Sequence, residues 1–341
     1  MRRTFKALIL ALVVPWLAAQ GQEVSLLAVG DINLGRHVGQ VLLNDSLSYP
    51  FEFVRSVFRQ HDIVFGNLES QITDQNGETQ HPRDRYIFCA PPQGAQSLRE
   101  AGVTIVATAN NHAYDYKMRG LRETISYLDR AAVLHVGTSK DSVAEFPATI
   151  VEVHGIRVGF LATTQFVNRK KGWTGHIALY NIRSLQKAIR QLKAKADLVV
   201  VSYHGGIEYV DAPNKRTYRE MRGLVDAGAD VVLAHHPHVP QGIKRYKKGW
   251  IFCSLGNFVF KQPQREWTQK SFAVSMNIEK KDSSTRITAM TLLPVLSGFQ
   301  PSFAVPAPVR ETLERRLQRL SNVTITRKDT VFAIDDAQTK Q

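Results

Sequence analysis

The sequence predicts a layered α/β protein, and three observations carry that reading. Short β-branched and apolar runs alternate with amphipathic stretches of helical period from residue 24 onward. Five of the apolar runs end in Asp, Glu, Asn or His instead of ordinary turn residues. At 341 residues and 43% hydrophobic composition the chain can bury a large core, which excludes a disordered or fibrous protein.

The first run, 24–29, breaks at Gly30-Asp31. An amphipathic stretch at 51–59 predicts a helix, and the strand after it, 63–65, stops at Gly66-Asn67-Leu68-Glu69. A helix at 93–101 closes at Gly102, where a left-handed cap fits, and the strand at 103–107 runs into Asn110-Asn111-His112. Residues 117–132 place Leu121, Ile125 and Leu128 on one helical stripe, ahead of a strand at 133–136. Strands at 149–153 and 157–161 flank His154-Gly155, a two-residue hairpin signal. A helix at 182–194 precedes the strand 198–203, which ends at His204-Gly205-Gly206. A helix at 215–227 precedes 231–234, which ends at His235-His236-Pro237-His238.

The runs at 242–246, 250–254, 272–278 and 286–293, with Lys-Gly and Lys-Asp turns, suggest a second, antiparallel-rich sheet packed on the first. A helix at 309–320 and a polar tail over 322–341 finish the chain. No repeat or low-complexity linker interrupts the motifs, so 24–321 reads as one domain.

Ahead of that domain, Arg2, Arg3 and Lys6 precede an apolar run at 7–19 and then small and polar residues. This is the pattern of a secretory signal over 1–20. The run is shorter than the roughly 20 residues a spanning helix needs, which favours a signal over a retained anchor. Either way the domain is expected outside the inner membrane, periplasmic or extracytoplasmic. The formal charge of +14 drops by three without those residues and stays strongly basic, which favours anionic partners such as acidic polymers or phosphate groups. The basic runs at 169–171 and 244–248 lack interleaved aromatics, so no nucleic-acid partner is expected. Two cysteines, Cys89 and Cys253, leave a disulfide and two free thiols both open and exclude a thiol-based metal site.

In open α/β sheets, ligands sit beyond the carboxyl ends of strands, where loops from several strands converge. Asp31, Glu69, Asn111, His204, His236 and His238 all follow predicted strands, so one site can gather them. Taken singly, Asp31 could cap a turn and His204 could be a core histidine. Three imidazoles within 235–238 are harder to explain that way, because protonated they repel one another and buried they gain nothing. Carboxylate, amide and imidazole donors together suit manganese, iron or zinc.

Several longer segments carry a family resemblance. Gly30-Asp31 with Gly35-Arg36, Asn67-Leu68-Glu69, the run from Asn110 to Asp115 with Gly120-Leu121, the run from Tyr203 to Tyr209, His235-His236-Pro237-His238-Val239, and the run from Ser254 to Phe260 resemble the bacterial poly-γ-glutamate capsule-synthesis proteins, the CapA family. That family is similar in fold to calcineurin-like phosphoesterases, so the resemblance implies a four-layer αββα sandwich of two mixed sheets with a two-metal site. It further implies that Asp31 and His238 bind one divalent metal ion and that Asn111, His204 and His236 bind a second. Glu69 bridges the two, and His112 acts on the reacting group. Arg36 and Glu208 are candidates for substrate charge and for orienting the site. Where phosphoesterases usually place a histidine two residues after the first aspartate, this chain has Asn33.

Three functions fit these features. One is a metal-dependent hydrolase of phosphate esters or of an acyl or amide bond. A second is a capsule or exopolymer assembly factor that works with membrane-associated polymer synthesis machinery. The third is a non-catalytic protein that binds an anionic polymer.

Overall fold

The computed structural model describes residues 22–335, and the expected signal at 1–20 lies outside them. The strands, numbered along the chain, are β1 (Gln22–Ile32), β2 (Ile63–Leu68), β3 (Gln71–Ile72), β4 (Cys89–Ala90), β5 (Ile105–Ala107), β6 (Leu134–Val136), β7 (Thr149–Val153), β8 (Ile156–Thr164) and β9 (Leu198–His204). They continue with β10 (Val231–His235), β11 (Ile243–Tyr246), β12 (Gly249–Phe252), β13 (Asn257–Val259), β14 (Lys270–Lys281), β15 (Ser284–Leu296), β16 (Thr324–Lys328) and β17 (Val331–Asp335). The helices are α1 (Arg36–Leu43), α2 (Arg55–Phe58), α3 (Gln93–Ala101), α4 (Lys117–Arg130), α5 (Ile182–Lys193), α6 (Lys215–Ala227) and α7 (Ala307–Leu320).

Two mixed sheets hold most of the strands. The first runs β16-β17-β15-β14-β1-β2-β5-β6, with β13 also paired to β1, and the second runs β11-β12-β10-β9-β8-β7. In the first, β1, β2, β5 and β6 are parallel while β14 and β15 are antiparallel additions. In the second, β8, β9, β10 and β12 are parallel, with antiparallel β7 and β11 at the edges.

The period-2 alternation of the strands decides the layering. Leu26, Ala28 and Phe65 of the first sheet share a core with Phe160, Val200 and Leu233 of the second. Phe65 and Phe160 stack at 5.8 Å between centroids across that interface. Leu27, Val29 and Val64 face the opposite way into a core with residues of α1, α3 and α4. Val199, Val201 and Val232 do the same toward α5 and α6. The result is helix, sheet, sheet, helix, the four-layer sandwich that the resemblance implied.

The local expectations correspond closely to the elements found. Gly102 caps α3 at φ 98°, and His154 and Gly155 both take positive φ in the turn between β7 and β8. Three expectations need correction. The stretch 51–59 is a 3-10 turn at Tyr49–Phe51 followed by the one-turn helix α2. The four late hairpin strands do not make a sheet of their own, because β11 and β12 join the second sheet while β14 and β15 join the first. The reason is a match of apolar faces that local pattern does not report, since Leu26 pairs with Met276 and Ala28 with Val274 in one register. The tail expected from 322 is, up to Asp335, the antiparallel pair β16 and β17 on the edge of the first sheet. Its alternate residues Ile325 and Phe332 are buried, a signal that its many charged residues obscured. Cys89 and Cys253 are both buried and free. Among the described residues, no helix is long and apolar enough to cross a membrane.

Phe332 is fully buried, so its truncation tests whether β17 belongs to the core. Phe332→Ala is expected to lower stability by about 3–5 kcal/mol in urea unfolding. A midpoint equal to that of the unaltered chain would show that the strand contributes nothing.

Candidate metal centre

The parallel strands of both sheets end at one edge of the sandwich, and the polar residues meet there. Asp31 lies in the last turn of β1, at a place where the strand departs from regular pairing. Its register with β2 shifts between Ala28 and Asp31, and with β13 between Asp31 and Ile32. Strict alternation would send Asp31 to the helix side with Leu27 and Val29. The irregularity lets its carboxylate reach the other sheet, where Oδ1 is 3.3 Å from His235 Nδ1 and Oδ2 is 3.3 Å from His238 Nδ1. Gly30 makes the close approach to β13 feasible, since a Cβ there would stand 1.9 Å from the Gly256 carbonyl oxygen.

Glu69 follows β2 and is fully buried, with its backbone N–H held by the Ile32 carbonyl at 2.8 Å. Its Oε1 lies 3.6 Å from His204 Nε2 and 3.9 Å from His238 Nε2. His204, at the end of β9, also meets Asn111 Oδ1 at 2.8 Å through Nε2. Two ligand sets result, Asp31 with Glu69 and His238, and Glu69 with His204 and His236, each with donor atoms within 4.8 Å of one another. Glu69 is common to both, so one carboxylate stands where two cations could share it. Glu208 forms a third grouping with His236 and His238 from the exposed rim.

Neighbouring groups set which atoms face the centre. Asn257 Nδ2 donates to the Thr268 carbonyl and to Gln262 Oε1, both at 3.0 Å, which fixes its Oδ1 as an acceptor. His238 Nδ1, 2.9 Å from that Oδ1, must therefore carry hydrogen, and Nε2 is left free to ligate. Asn67 donates to Asp31 Oδ1 at 2.8 Å and is in turn contacted by Asn110. His112 Nδ1 pairs with Asp115 Oδ2 at 2.7 Å, and Asp115 is itself held by the Phe88 N–H. An ionised carboxylate only accepts, so Nδ1 is the donor and Nε2 faces outward.

Several buried atoms at the centre have no hydrogen-bond partner. They are Asp31 Oδ2, both Glu69 carboxylate oxygens and His236 Nδ1. Leaving buried ionisable groups unpaired costs several kcal/mol, and two divalent cations would satisfy all of them with oxygen and nitrogen donors. Backbone strain points to the same place. His236 and His238 take φ of 96° and 58°, left-handed values that cost on the order of 1–3 kcal/mol in a non-glycine residue. The donor set therefore fits a pair of divalent metal ions.

The electrostatics follow from burial. Burial alone would raise the Asp31 carboxyl, but hydrogen bonds and charge from His235 and His238 outweigh it and hold the group well below the usual range. Burial, and then the charge of Asp31, pushes Glu69 well above its ordinary value. Burial, and then the charge of His236, holds His204 well below the usual imidazole range. Burial, with the charge of His238 next, takes His236 from 6.5 down to about 3. Neutral imidazoles are the ligating form.

The six expected ligands thus lie together. Arg36 stands outside them, behind the rings of Phe88 and Phe260. Sequence reasoning passed over His235, Asn257 and Asp115. Asp115 sat three residues after His112 inside a segment already singled out, so its spacing was an available signal. Asn257 lay inside the run from Ser254 to Phe260, but only the pairing of β13 with β1 brings it to His238.

Comparisons with known proteins bear on this geometry. The family described as bacterial capsule synthesis protein PGA_cap matches residues 25–262. The capsule biosynthesis protein CapA of Bacillus anthracis is 32% identical over 311 residues, covering 89% of this chain and 74% of its own length. The PGA biosynthesis protein CapA of Bacillus subtilis (strain 168) is 31% identical over 309 residues, covering 86% and 77%. Among solved structures, a putative 5′-nucleotidase from Staphylococcus aureus in complex with α-ketoglutarate aligns at a TM-score of 0.53 and 15% identity, over 86% of this chain and 58% of that one. That likeness concerns the fold alone.

The depressed His236 pKa has a measurable consequence. Between pH 6.5 and about 3 the unfolded chain binds a proton at this ring that the folded chain refuses, so acid favours unfolding. In chelator-treated protein the thermal midpoint is expected to fall from pH 6.5 toward about 4, more steeply than in His236→Asn. Comparing the two proteins removes the opposite contribution of Glu69. Equal slopes would exclude a neutral buried His236.

Proposed function

The chain belongs to the bacterial capsule synthesis family PGA_cap, and on that premise we propose an exported protein that cleaves or transfers a bond in an anionic capsule polymer at its metal centre. The observation that carries the catalytic part is Glu69, a buried carboxylate shared by two ligand sets and left without any hydrogen-bond donor. A structural metal site closes its ligands around one ion, whereas a shared carboxylate between two sets suits a pair that acts on substrate.

Asp31, Glu69 and His238 would hold one ion, and Glu69, Asn111, His204 and His236 the other. Ions bound there supply Lewis acidity and a water acidified enough to attack near neutral pH. His112 supplies the proton chemistry. Asp115 fixes its Nδ1–H and stabilises the protonated ring, so Nε2 can donate to a leaving group. At 6% exposure His112 is shielded from bulk water yet reachable from the rim. Asn33 Oδ1 accepts the Gly35 N–H at 2.9 Å and shapes the turn into α1.

The CapA resemblance, with one relative named a PGA biosynthesis protein, points to poly-γ-glutamate as the polymer, and the apolar segment at 7–19 supports export. Basic surface and membrane-proximal polymer synthesis fit one another, so the polymer synthesis machinery is the expected partner.

Purified protein reloaded with manganese or zinc is expected to hold two ions per chain by elemental analysis and to shorten a γ-linked glutamate polymer. His112→Ala should keep both ions and lose about 10²–10⁴ in rate, while Glu69→Gln should lose both ions and rate. Polymer binding without turnover would replace the enzyme reading with a binding role. Failure to bind metal would end the hydrolase reading.

A further inference from the structure

Beside His112 and His238 stands a wall of rings and guanidinium groups that the chemistry above does not use. The Phe88 ring centroid is 4.2 Å from that of His112 and 4.4 Å from Arg36 Cζ. Phe260 makes a similar link, 5.1 Å from the His238 ring and 5.9 Å from Arg36 Cζ. Tyr209, 6.0 Å from the His238 ring, carries Arg265 with Cζ at 4.3 Å. Arg36 Nη2 donates to the Arg85 backbone carbonyl at 2.7 Å, which fixes its guanidinium against the wall, while the Arg85 guanidinium turns to the Tyr86 hydroxyl at 2.8 Å.

These cations lack counter-charge. Among the described residues, no carboxylate lies within ion-pair distance of Arg36, Arg85 or Arg265, although most other ion pairs of the molecule are made on its surface. Arg36 is half-buried, and its Nε is buried with no hydrogen-bond partner. Burial, and then the charge of Arg85, lowers its pKa. The backbone is left-handed at both anchors, with φ of 53° at Arg36 and 65° at Tyr209. Strain of this kind is held where surrounding structure over-determines a position, as it is at His236 and His238. The half-buried Arg36 and the exposed Arg265, each lying over a ring and without an ion-pair partner, leave planar N–H edges for an oxyanion, the geometry in which arginine binds two oxygens at once.

We propose that Arg36 and Arg265, set against Phe88, Tyr209 and Phe260, form a subsite for a carboxylate or phosphate group of the substrate adjacent to the bond that reacts. The proposal rests on the metal centre being the reacting end of the site. It narrows the substrate class to molecules bearing an anionic group next to the cleaved bond, which a repeating polyanion always offers and a simple ester does not. The two arginines are specificity residues and leave the proton chemistry to His112.

Calorimetric titration of the chelator-treated full chain with inorganic phosphate, and separately with a γ-linked glutamate trimer, tests this without requiring turnover. Binding of either probe is expected, weakened at least tenfold by Arg36→Gln and by Arg265→Gln. Arg265 is exposed, so Arg265→Gln should melt like the unaltered protein and keeps the result interpretable if Arg36→Gln fails to fold. Binding of the trimer alone assigns a carboxylate, and binding of phosphate alone assigns a phosphate. A folded Arg265→Gln that binds as tightly as the unaltered chain, or an unaltered chain that binds neither probe, overturns the subsite. Loss of metal binding or turnover with intact probe binding would count against the hydrolase reading only.

Discussion

Asp31 and Glu69 are two fully buried carboxylates at the meeting edge of two sheets, with imidazoles around them and, among the described residues, no arginine or lysine in ion-pair reach. Burying one unpaired carboxylate costs several kcal/mol, and two side by side also repel each other. The hydrogen bond from Asn67 and the closeness of His235 and His238 offset part of this for Asp31, and no hydrogen bond offsets it for Glu69. Cations are the economical remedy, and much of the surrounding structure keeps the carboxylates where cations can be shared. An ion held between them would also return Glu69 to its ionised form, reversing the effect of burial.

The scaffold holds this arrangement from behind. Arg316 of α7 is almost fully buried, donates Nε to the Pro240 carbonyl at 2.9 Å, pairs with Asp211 at 2.8 Å and lies over the Trp267 ring at 4.3 Å. One side chain thereby ties the segment after His238 to the loop after Tyr209. The Tyr209 N–H to the Pro237 carbonyl, at 2.9 Å, joins those loops directly. On the far side of His204, Gln165 accepts from the Gly206 N–H and donates to Glu220, which also receives the Tyr203 hydroxyl at 2.6 Å. Strained φ values at His236 and His238 persist because bonds of this kind leave the loop no relaxed alternative.

The rings between the metal centre and the arginines act as spacers. Phe88 and Phe260 each contact a site histidine on one side and Arg36 on the other. They keep positive charge away from the ligand imidazoles, where it would weaken cation binding, while holding it close enough to meet substrate charge. Arginine suits this position better than lysine, because a flat guanidinium stacks on a ring and keeps its donors free at the edge.

Much of this was legible locally. Periods of 2 and 3.6, glycine stops such as Gly102 and the His154-Gly155 turn are properties of neighbouring residues, so the order of elements and the polar ends of five strands could be taken from the sequence alone. Strand ends gather ligands in α/β sheets, so the six scattered donors could also be named as one site. Tertiary structure alone decided the rest. Which sheet received β11, β12, β14 and β15 depended on matching apolar faces, for β14 with a partner as distant as Leu26 from Met276, and a charged edge hid the buried alternation of β16 and β17. The turning of Asp31 toward the second sheet arises from a register shift against β2 and β13. The proton on His238 Nδ1 is placed by Asn257, and Arg36 and Arg265 reach the rings beside the centre through loops that meet only after folding. Long-range pairing leaves no periodic trace in the chain, and that is why these features required the fold.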